Sequence, residues 1–370
     1  MIQVNVPTIY GEEIELVLES LKLGWVSSES PYLLEFEKQM AIFSNRKHAI
    51  AVANGTAALE IAAQVIGIKP GDEIIMPSFT IISCPQSVTK LGAKPVLIDS
   101  LHDTWNMDTA QIENRITVKT KAIMVVHMYG LTTNMDEIER IAKKYKIQII
   151  EDASEAIGQS WKNKPCGSFG NISTYSFYAN KHISTGEGGM ILTNDDDFAE
   201  KSRYYRNLCF NKERRFKHDD IGWNYRMTGM QAAFGLGQLR NIKKTIKRKK
   251  EIGKIYNSII PDSDRYSKPL LKNLGSENHY WVYGIVLNPN KSINASSIMM
   301  KLESKGIGSR PFFYPIHLQP VYKKLGMFEF ESHPNSENLS EFGFYLPSGT
   351  GNTNDEIIKS AETFLEIINS

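Results

Sequence analysis

From residue 48 onward, short apolar runs alternate with amphipathic stretches. No other feature restricts the fold as much. Ala49-Ile50-Ala51-Val52, Glu73-Ile74-Ile75-Met76, Pro95-Val96-Leu97-Ile98-Asp99, Ala122-Ile123-Met124-Val125-Val126 and Ile147-Gln148-Ile149-Ile150-Glu151-Asp152 read as strands. Segments 57–66, 85–91, 108–116 and 136–145 between them read as helices. Such intervals predict βαβ units on a mainly parallel sheet. Runs that are apolar throughout predict strands covered by helices on both faces.

Two amphipathic helices, 11–21 and 32–43, precede this block, with a break at 24–28. After it come strands at 173–177 and 190–193 and helices at 196–207, 228–239 and 242–255. The helix at 228–239 carries Gly229, Ala232, Ala233, Gly235 and Gly237, which suits close packing. The run Lys247-Arg248-Lys249-Lys250 reads as the solvated face of the next helix, with Ile242, Ile246 and Ile255 marking its buried side. From residue 256 the chain has fewer long helices and more Pro and Asn. A length of 370 residues, 41% hydrophobic, suffices for a large domain and a smaller one. The expected division is a large α/β domain with an N-terminal helical segment over 1–250 and a small α+β domain over 251–370.

Several classes are set aside by composition. With 43 basic and 41 acidic residues the net charge is +2, so no global field favours nucleic acid or a membrane. The lysine-rich run has no interleaved aromatics of a nucleic-acid patch. Cys84, Cys166 and Cys209 are far apart, and the eight histidines show no ligand spacing, so neither a disulfide framework nor a metal site is expected. The first seven residues lack a basic, apolar leader, and no apolar run approaches membrane-spanning length, so a cytoplasmic protein is expected.

The chemistry centres on residues 173–189, STYSFYANKHISTGEGG. Lys181 stands between a strand and a glycine-rich turn. In a partly dry cleft its charged form is disfavoured, and the amine can attack a carbonyl to form a Schiff base. Asn54-Gly55-Thr56 opens a helix, where close backbone approach, free N–H groups and a hydroxyl make a phosphate seat. Asp152 ends an apolar strand, at the edge where ligands of parallel sheets gather. Ser176 adds a hydroxyl five residues before Lys181. Each feature alone has an ordinary reading: a capped helix, a turn aspartate, a strand serine, a solvated lysine. Together they fit one cofactor, pyridoxal 5′-phosphate, with its lysine and its aspartate partner for the ring nitrogen.

The motifs NGTAALEIAA (54–63), GDEIIMPSFT (71–80), VHMYG (126–130), EDASEAIG (151–158), SFYANKHISTGEGGM (176–190), GWNYRMTGMQAA (222–233) and RPFFYPIH (310–317) carry a resemblance over residues 24–347. The chain resembles the DegT/DnrJ/EryC1/StrS family of pyridoxal phosphate-dependent nucleotide-sugar aminotransferases. That resemblance implies transferase fold type I, aspartate aminotransferase-like: a large domain with a mainly parallel mixed sheet and a smaller α+β C-terminal domain. It implies that Lys181 is the Schiff-base lysine and proton carrier, that Asp152 partners the pyridine nitrogen, and that Gly55, Thr56 and Ser176 bind the phosphate. It implies that Asn224 reaches the phosphate of a second subunit, so that a homodimer shares its active sites. Trp25, Ser27, Ser28, Arg310 and His317 match segments near the substrate. Position 81, commonly aromatic and stacked on the ring, is Ile81 here, which implies apolar contact instead. Position 155, often Gln near the ring oxygen, is Glu155. With Glu155, FY-x-NK, TGEGGM and RP-x-FYPIH, the chain is similar to the branch that moves an amino group from L-glutamate to C4 of GDP-4-keto-6-deoxy-D-mannose, giving GDP-perosamine for surface polysaccharide. Other readings are a UDP- or dTDP-linked keto sugar, a dehydratase branch in which His replaces the lysine, and a non-catalytic regulatory protein of this fold.

Overall fold

Seven strands form the central sheet of the computed structural model, which describes residues 1–211, 213–289 and 293–370. They are β1 (His48–Val52), β2 (Glu73–Pro77), β3 (Lys94–Ile98), β4 (Thr120–Val126), β5 (Gln148–Asp152) and, after a small hairpin of β6 (Ser160–Trp161) and β7 (Lys164–Pro165), β8 (Ile172–Ser176) and β9 (Gly189–Thr193). Their order is β1-β9-β8-β5-β4-β2-β3, and β9 alone runs against the rest. The sheet is therefore mixed but mainly parallel. Its carboxyl edge brings Asp152 beside Val126 and Thr174 in register, and Ser176 beside Gly189.

Helices α1 (Glu12–Lys22), α2 (Pro31–Phe43), α3 (Gly55–Val65), α4 (Ser83–Thr89), α5 (Met135–Tyr145), α6 (Asp196–Arg206) and α7 (Gly229–Arg240) surround this sheet. Strand residues such as Ile50, Ile75, Ile123, Ile150 and Ile191 are fully buried, as unbroken apolar runs require. In α7 the small residues serve packing: a Cβ on Gly235 would strike the Phe36 ring, and one on Gly237 the main chain of Glu13. The predicted helix at 108–116 is instead two single 3₁₀ turns, Thr109–Gln111 and Glu113–Arg115. Asp108 caps the first turn, and Ile112 is the buried residue there, so no amphipathic face extends far enough to sustain an α-helix.

The last sequence-predicted helix is longer than expected: α8 runs over Ile242–Ile259. Its basic run is not uniformly solvated, because Lys249 is buried, 2% exposed, beside Thr245, Ile252 and Tyr256. Beyond it, β10 (Tyr266–Ser267), β11 (Tyr283–Leu287), β12 (Arg310–Pro311) and β13 (Gly343–Leu346) make an antiparallel sheet of order β10-β11-β13-β12. Helices α9 (Ala295–Ser304), α10 (Pro320–Lys324), α11 (Pro334–Phe342) and α12 (Asn354–Asn369) accompany it. Residues 2–6 also join this unit: Ile2 pairs with Ile307, and the amides of Ser348 and Gly351 donate to Val4 and Val6. An aromatic cluster joins the two sheets, with Phe312 packed on Tyr129 (ring centroids 4.7 Å apart) and on Phe79 (5.8 Å). No helix among the described residues is long and apolar enough to cross a membrane.

Candidate active site

A cavity of about 600 Å³ opens where the carboxyl edge of the large sheet faces the C-terminal unit. Gly55, Thr56, Ile81, Asp152, Glu155, Ser176 and Lys181 all line it. These are the sequence-predicted cofactor residues, Asn224 excepted. The arrangement follows from local structure. Asp152 is the last residue of β5 and Ser176 the last of β8, so both project from one sheet edge. Asn54 caps α3 by accepting from the Ala57 amide at 2.8 Å. The first-turn amides of Gly55 and Thr56 have no acceptor within their own helix. A Cβ at position 55 would lie 2.8 Å from Ser176 Cβ, so only glycine lets helix and strand meet this closely. The Thr56 and Ser83 hydroxyls are 2.8 Å apart across the same end.

Lys181 lines the same cavity. Its side chain is 11% exposed, enough to open onto the cavity, and Nζ lies 3.5 Å from Glu155 Oε1. It also stands 3.8 Å from the centroid of the Trp281 ring, a cation–π contact that partly replaces lost hydration. Burial lowers the Lys181 pKa, against the opposing pull of Glu155 and Asp152. Burial likewise raises Glu155 to about 7, against the charge of Lys181 and the Tyr129 amide, which donates to Oε2 at 3.2 Å. The two values move toward each other, which suits a pair that handles a proton near neutrality.

Asp152 is held on both sides. Oδ1 accepts the Ser154 amide at 3.0 Å, and Oδ2 accepts the Cys84 thiol at 3.4 Å. Burial, then the Asp152 charge, push the Cys84 thiol well above its ordinary value, so it remains a donor. One residue earlier in β5, Glu151 anchors the neighbouring loop: it accepts the amides of Gly167 (2.7 Å) and Phe169 (2.9 Å) and lies 3.1 Å from His127 Nε2. Tyr129, whose amide bonds Glu155, and Tyr280, which precedes Trp281, have positive φ of 52° and 50°, the kind of local strain that collects at functional sites.

The substrate residues are not brought together in the same way. Arg310 is exposed on β12 and lines a second cavity of about 840 Å³, which shares Tyr178, Asn180, Trp281, Pro311 and Tyr345 with the first. His317 does not reach either cavity. It is 1% exposed, with Nδ1 2.8 Å from Ser78 Oγ and Nε2 2.9 Å from Glu337 Oε1, so both nitrogens are taken and its role is to fasten the loop. Trp25 and Ser27 are exposed and Ser28 half-buried beyond α1, all outside both cavities. Asn224 is exposed too, and its Oδ1 accepts from Arg226 Nε at 2.8 Å. The sequence reading missed Trp281 and Cys84. Trp281 lies in the aromatic run His279 to Tyr283, and an aromatic residue in an apolar run signals a core more often than a site.

The residues fit pyridoxal phosphate. The cradle at Gly55 that a Cβ would fill, the hydroxyls of Thr56 and Ser176, the doubly held Asp152 carboxylate and the half-dry Lys181 amine are the donor set this group needs. The model of the DegT/DnrJ/EryC1/StrS aminotransferase family matches residues 7–364. The chain is 40% identical over 357 residues to the GDP-perosamine synthase of Caulobacter vibrioides, covering 96% of this chain and 95% of that one. Among solved structures it is similar to Helicobacter pylori PseC, an aminotransferase of pseudoaminic acid biosynthesis (TM-score 0.94, 25% identity, 100% and 99% covered). It is also similar to the PLP-form of the sugar aminotransferase Spr1654 of Streptococcus pneumoniae (TM-score 0.92, 26% identity, 100% and 98% covered). Fold, site and these likenesses define a pyridoxal phosphate-dependent aminotransferase. Within that class the chain belongs to the DegT/DnrJ/EryC1/StrS family, and it is a sugar aminotransferase.

Proposed function

We propose that the protein moves an amino group from L-glutamate to C4 of GDP-4-keto-6-deoxy-D-mannose, releasing 2-oxoglutarate and GDP-perosamine. The observation that carries the reading is the convergence of Lys181, Glu155 and Asp152 in one cavity with the Gly55–Ser176 cradle. The likeness to the Caulobacter GDP-perosamine synthase supports the choice of sugar.

Gly55, Thr56 and Ser176 would hold the cofactor phosphate, and Asp152 the proton of its ring nitrogen. Bound there, pyridoxal phosphate supplies the aldehyde that carries the amino group between substrates and a ring that takes up electrons. The protein supplies the proton traffic. Lys181, its pKa lowered by burial, would take the proton from the carbon bearing the amino group and pass it to the cofactor side within the same half-reaction. It would then run that transfer in reverse to protonate the sugar carbon in the second. Glu155, pushed up to about 7, shares that proton with Lys181. Asp152 keeps its acceptors aimed by the Ser154 amide and the Cys84 thiol. Ile81, at the cavity wall, offers an apolar face and no stacking. Arg310, on the adjoining cavity, suits a diphosphate or a carboxylate.

A second copy of the chain would complete the site. Ile14, Leu18, Leu21, Trp25 and Val26 are exposed along and just beyond α1, an apolar face that a homodimer would cover. Asn224 is exposed and does not line the cavity of its own chain, and in this reading it reaches the neighbour's phosphate.

The test is incubation of the purified enzyme with glutamate and a panel of GDP-, UDP- and dTDP-linked 4-keto sugars, with products identified by mass and NMR. GDP-perosamine as the preferred product is expected. Amination of only a UDP or dTDP sugar would overturn the GDP reading.

A further inference from the structure

Of the four basic residues at 247–250, one does not reach water. Lys249 is buried, and its Nζ donates to two main-chain carbonyls, Trp281 O at 2.8 Å and Ser348 O at 2.6 Å. Its neighbours have carboxylates: Lys247 and Arg248 approach Glu251, and Lys250 lies 2.5 Å from Glu277. Among the described residues no carboxylate pairs with Lys249. A buried ammonium held by neutral dipoles alone is costly, and an apolar residue would fill the place at less cost.

Both ends of this arrangement touch the site. The Trp281 ring carries Lys181, and its Nε1 donates to Asn180 O, the residue before Lys181, at 2.9 Å. Lys249, Lys181 and His182 also line one void of about 10 Å³. His182 Nδ1 contacts Ile157 O at 2.8 Å, and its Nε2 is buried without a partner. Burial, then the charge of Lys249, lower His182 to about 3, so it adds no further charge. The other titratable groups facing the pair are Glu155, Asp152 and Cys84 on the cavity side, and His279, itself lowered to about 4 by burial.

We propose that Lys249 is a positioning residue for Lys181: its ammonium holds the Trp281 main chain so that the indole lies against Lys181, and its unbalanced charge opposes protonation of that amine. Burial lowers both lysines, Lys249 to about 7 with the charge of Lys181 adding to its lowering. The same repulsion acts back on Lys181 whenever Lys249 is charged. The hydrogen bonds decide which keeps the proton. Lys249 has two short bonds to carbonyls, whereas Lys181 has one hydrogen bond, at 3.5 Å, beside the Trp281 ring. The role rests on the reading that Lys181 is the reacting amine.

Competitive acetylation of the cofactor-free protein over about pH 6 to 10, followed by mass spectrometry of the Lys181 peptide, measures the titration of that amine without turnover. In Lys249→Met the apparent pKa of Lys181 is expected to rise by about one pH unit, because a like charge lining the same void is gone. Lys249→Gln, which keeps donors for the two carbonyls, is expected to do the same and serves if the Met variant does not fold. Lys249→Arg, permanently charged, is expected to leave Lys181 at or below its wild-type value. An unchanged or lowered value in the neutral variants, or a raised one in Lys249→Arg, would overturn the proposal. If instead borohydride leaves no cofactor adduct on Lys181 in the wild type, the reading of Lys181 fails, and the titration comparison remains separately readable.

Discussion

The sheet side of the cavity and its outer rim are made by different means. On the sheet side, Asp152 and Ser176 end neighbouring strands, and Gly55 and Thr56 begin the helix after β1. Their positions are set by ladder hydrogen bonds and one helix cap. Farther out, Arg310 sits on a two-residue strand beside the adjoining cavity, and Trp25, Ser27 and Ser28 lie on a connection outside both cavities. Their positions depend on long-range packing and, in the reading above, on a second copy of the chain. In the reading above, chemistry common to every substrate would be placed on ladder-bonded backbone, and recognition on loops that can vary.

If this division is right, changes on the sheet side strike turnover and changes on the rim strike substrate affinity. The largest effect is expected from Lys181→Ala, which should lower transamination roughly a thousandfold or more while the protein still folds, read by single-turnover kinetics and thermal melting. Normal activity in that variant would break the comparison outright. Asp152→Asn should follow, with a loss in kcat of about a hundredfold or more, since the carboxylate charge at the ring nitrogen is removed while the shape is kept. Gly55→Ala comes next. Its methyl would meet Ser176 Cβ at 2.8 Å, and overpacking of this kind costs about 1–3 kcal/mol. Cofactor titration should show weaker binding with the fold retained. Arg310→Ala should raise KM for the nucleotide sugar about tenfold, or about 1.4 kcal/mol, with kcat and cofactor affinity little changed. A fall in kcat with KM unchanged would move Arg310 into the chemical step.

The last expected effect is on stability rather than on turnover or affinity. Glu155 has a native pKa of about 7 against an ordinary 4.5, so between those values the folded cofactor-free protein binds more protons than the unfolded one. Stability contributed by its protonated form is present below pH 4.5 and is lost as pH rises through 7. Denaturant titrations of wild type and Glu155→Gln across that window should differ in this slope, and parallel curves would show that Glu155 titrates normally.

The same division explains what was legible in the sequence. Strand ends, a Gly-Thr helix start and a lysine before a glycine turn are local patterns, and the structure brings all of them to one cavity. The helix expected at 108–116 failed because its apolar spacing ends after one turn. Lys249 was hidden because its run looks like any solvated helix face. Only the carbonyls of Trp281 and Ser348, 32 and 99 residues away, make it a buried cation. His317 was read as facing substrate for a similar reason, since its partners Ser78 and Glu337 are visible only in three dimensions.

One measurement bears most directly on the whole. Borohydride reduction of the cofactor-loaded protein, followed by peptide mass mapping, should place a pyridoxyl adduct on Lys181 and leave Lys249 unmodified. An adduct on another lysine, or none on a protein that binds the cofactor, would contradict the assignment of Lys181 as the reacting amine.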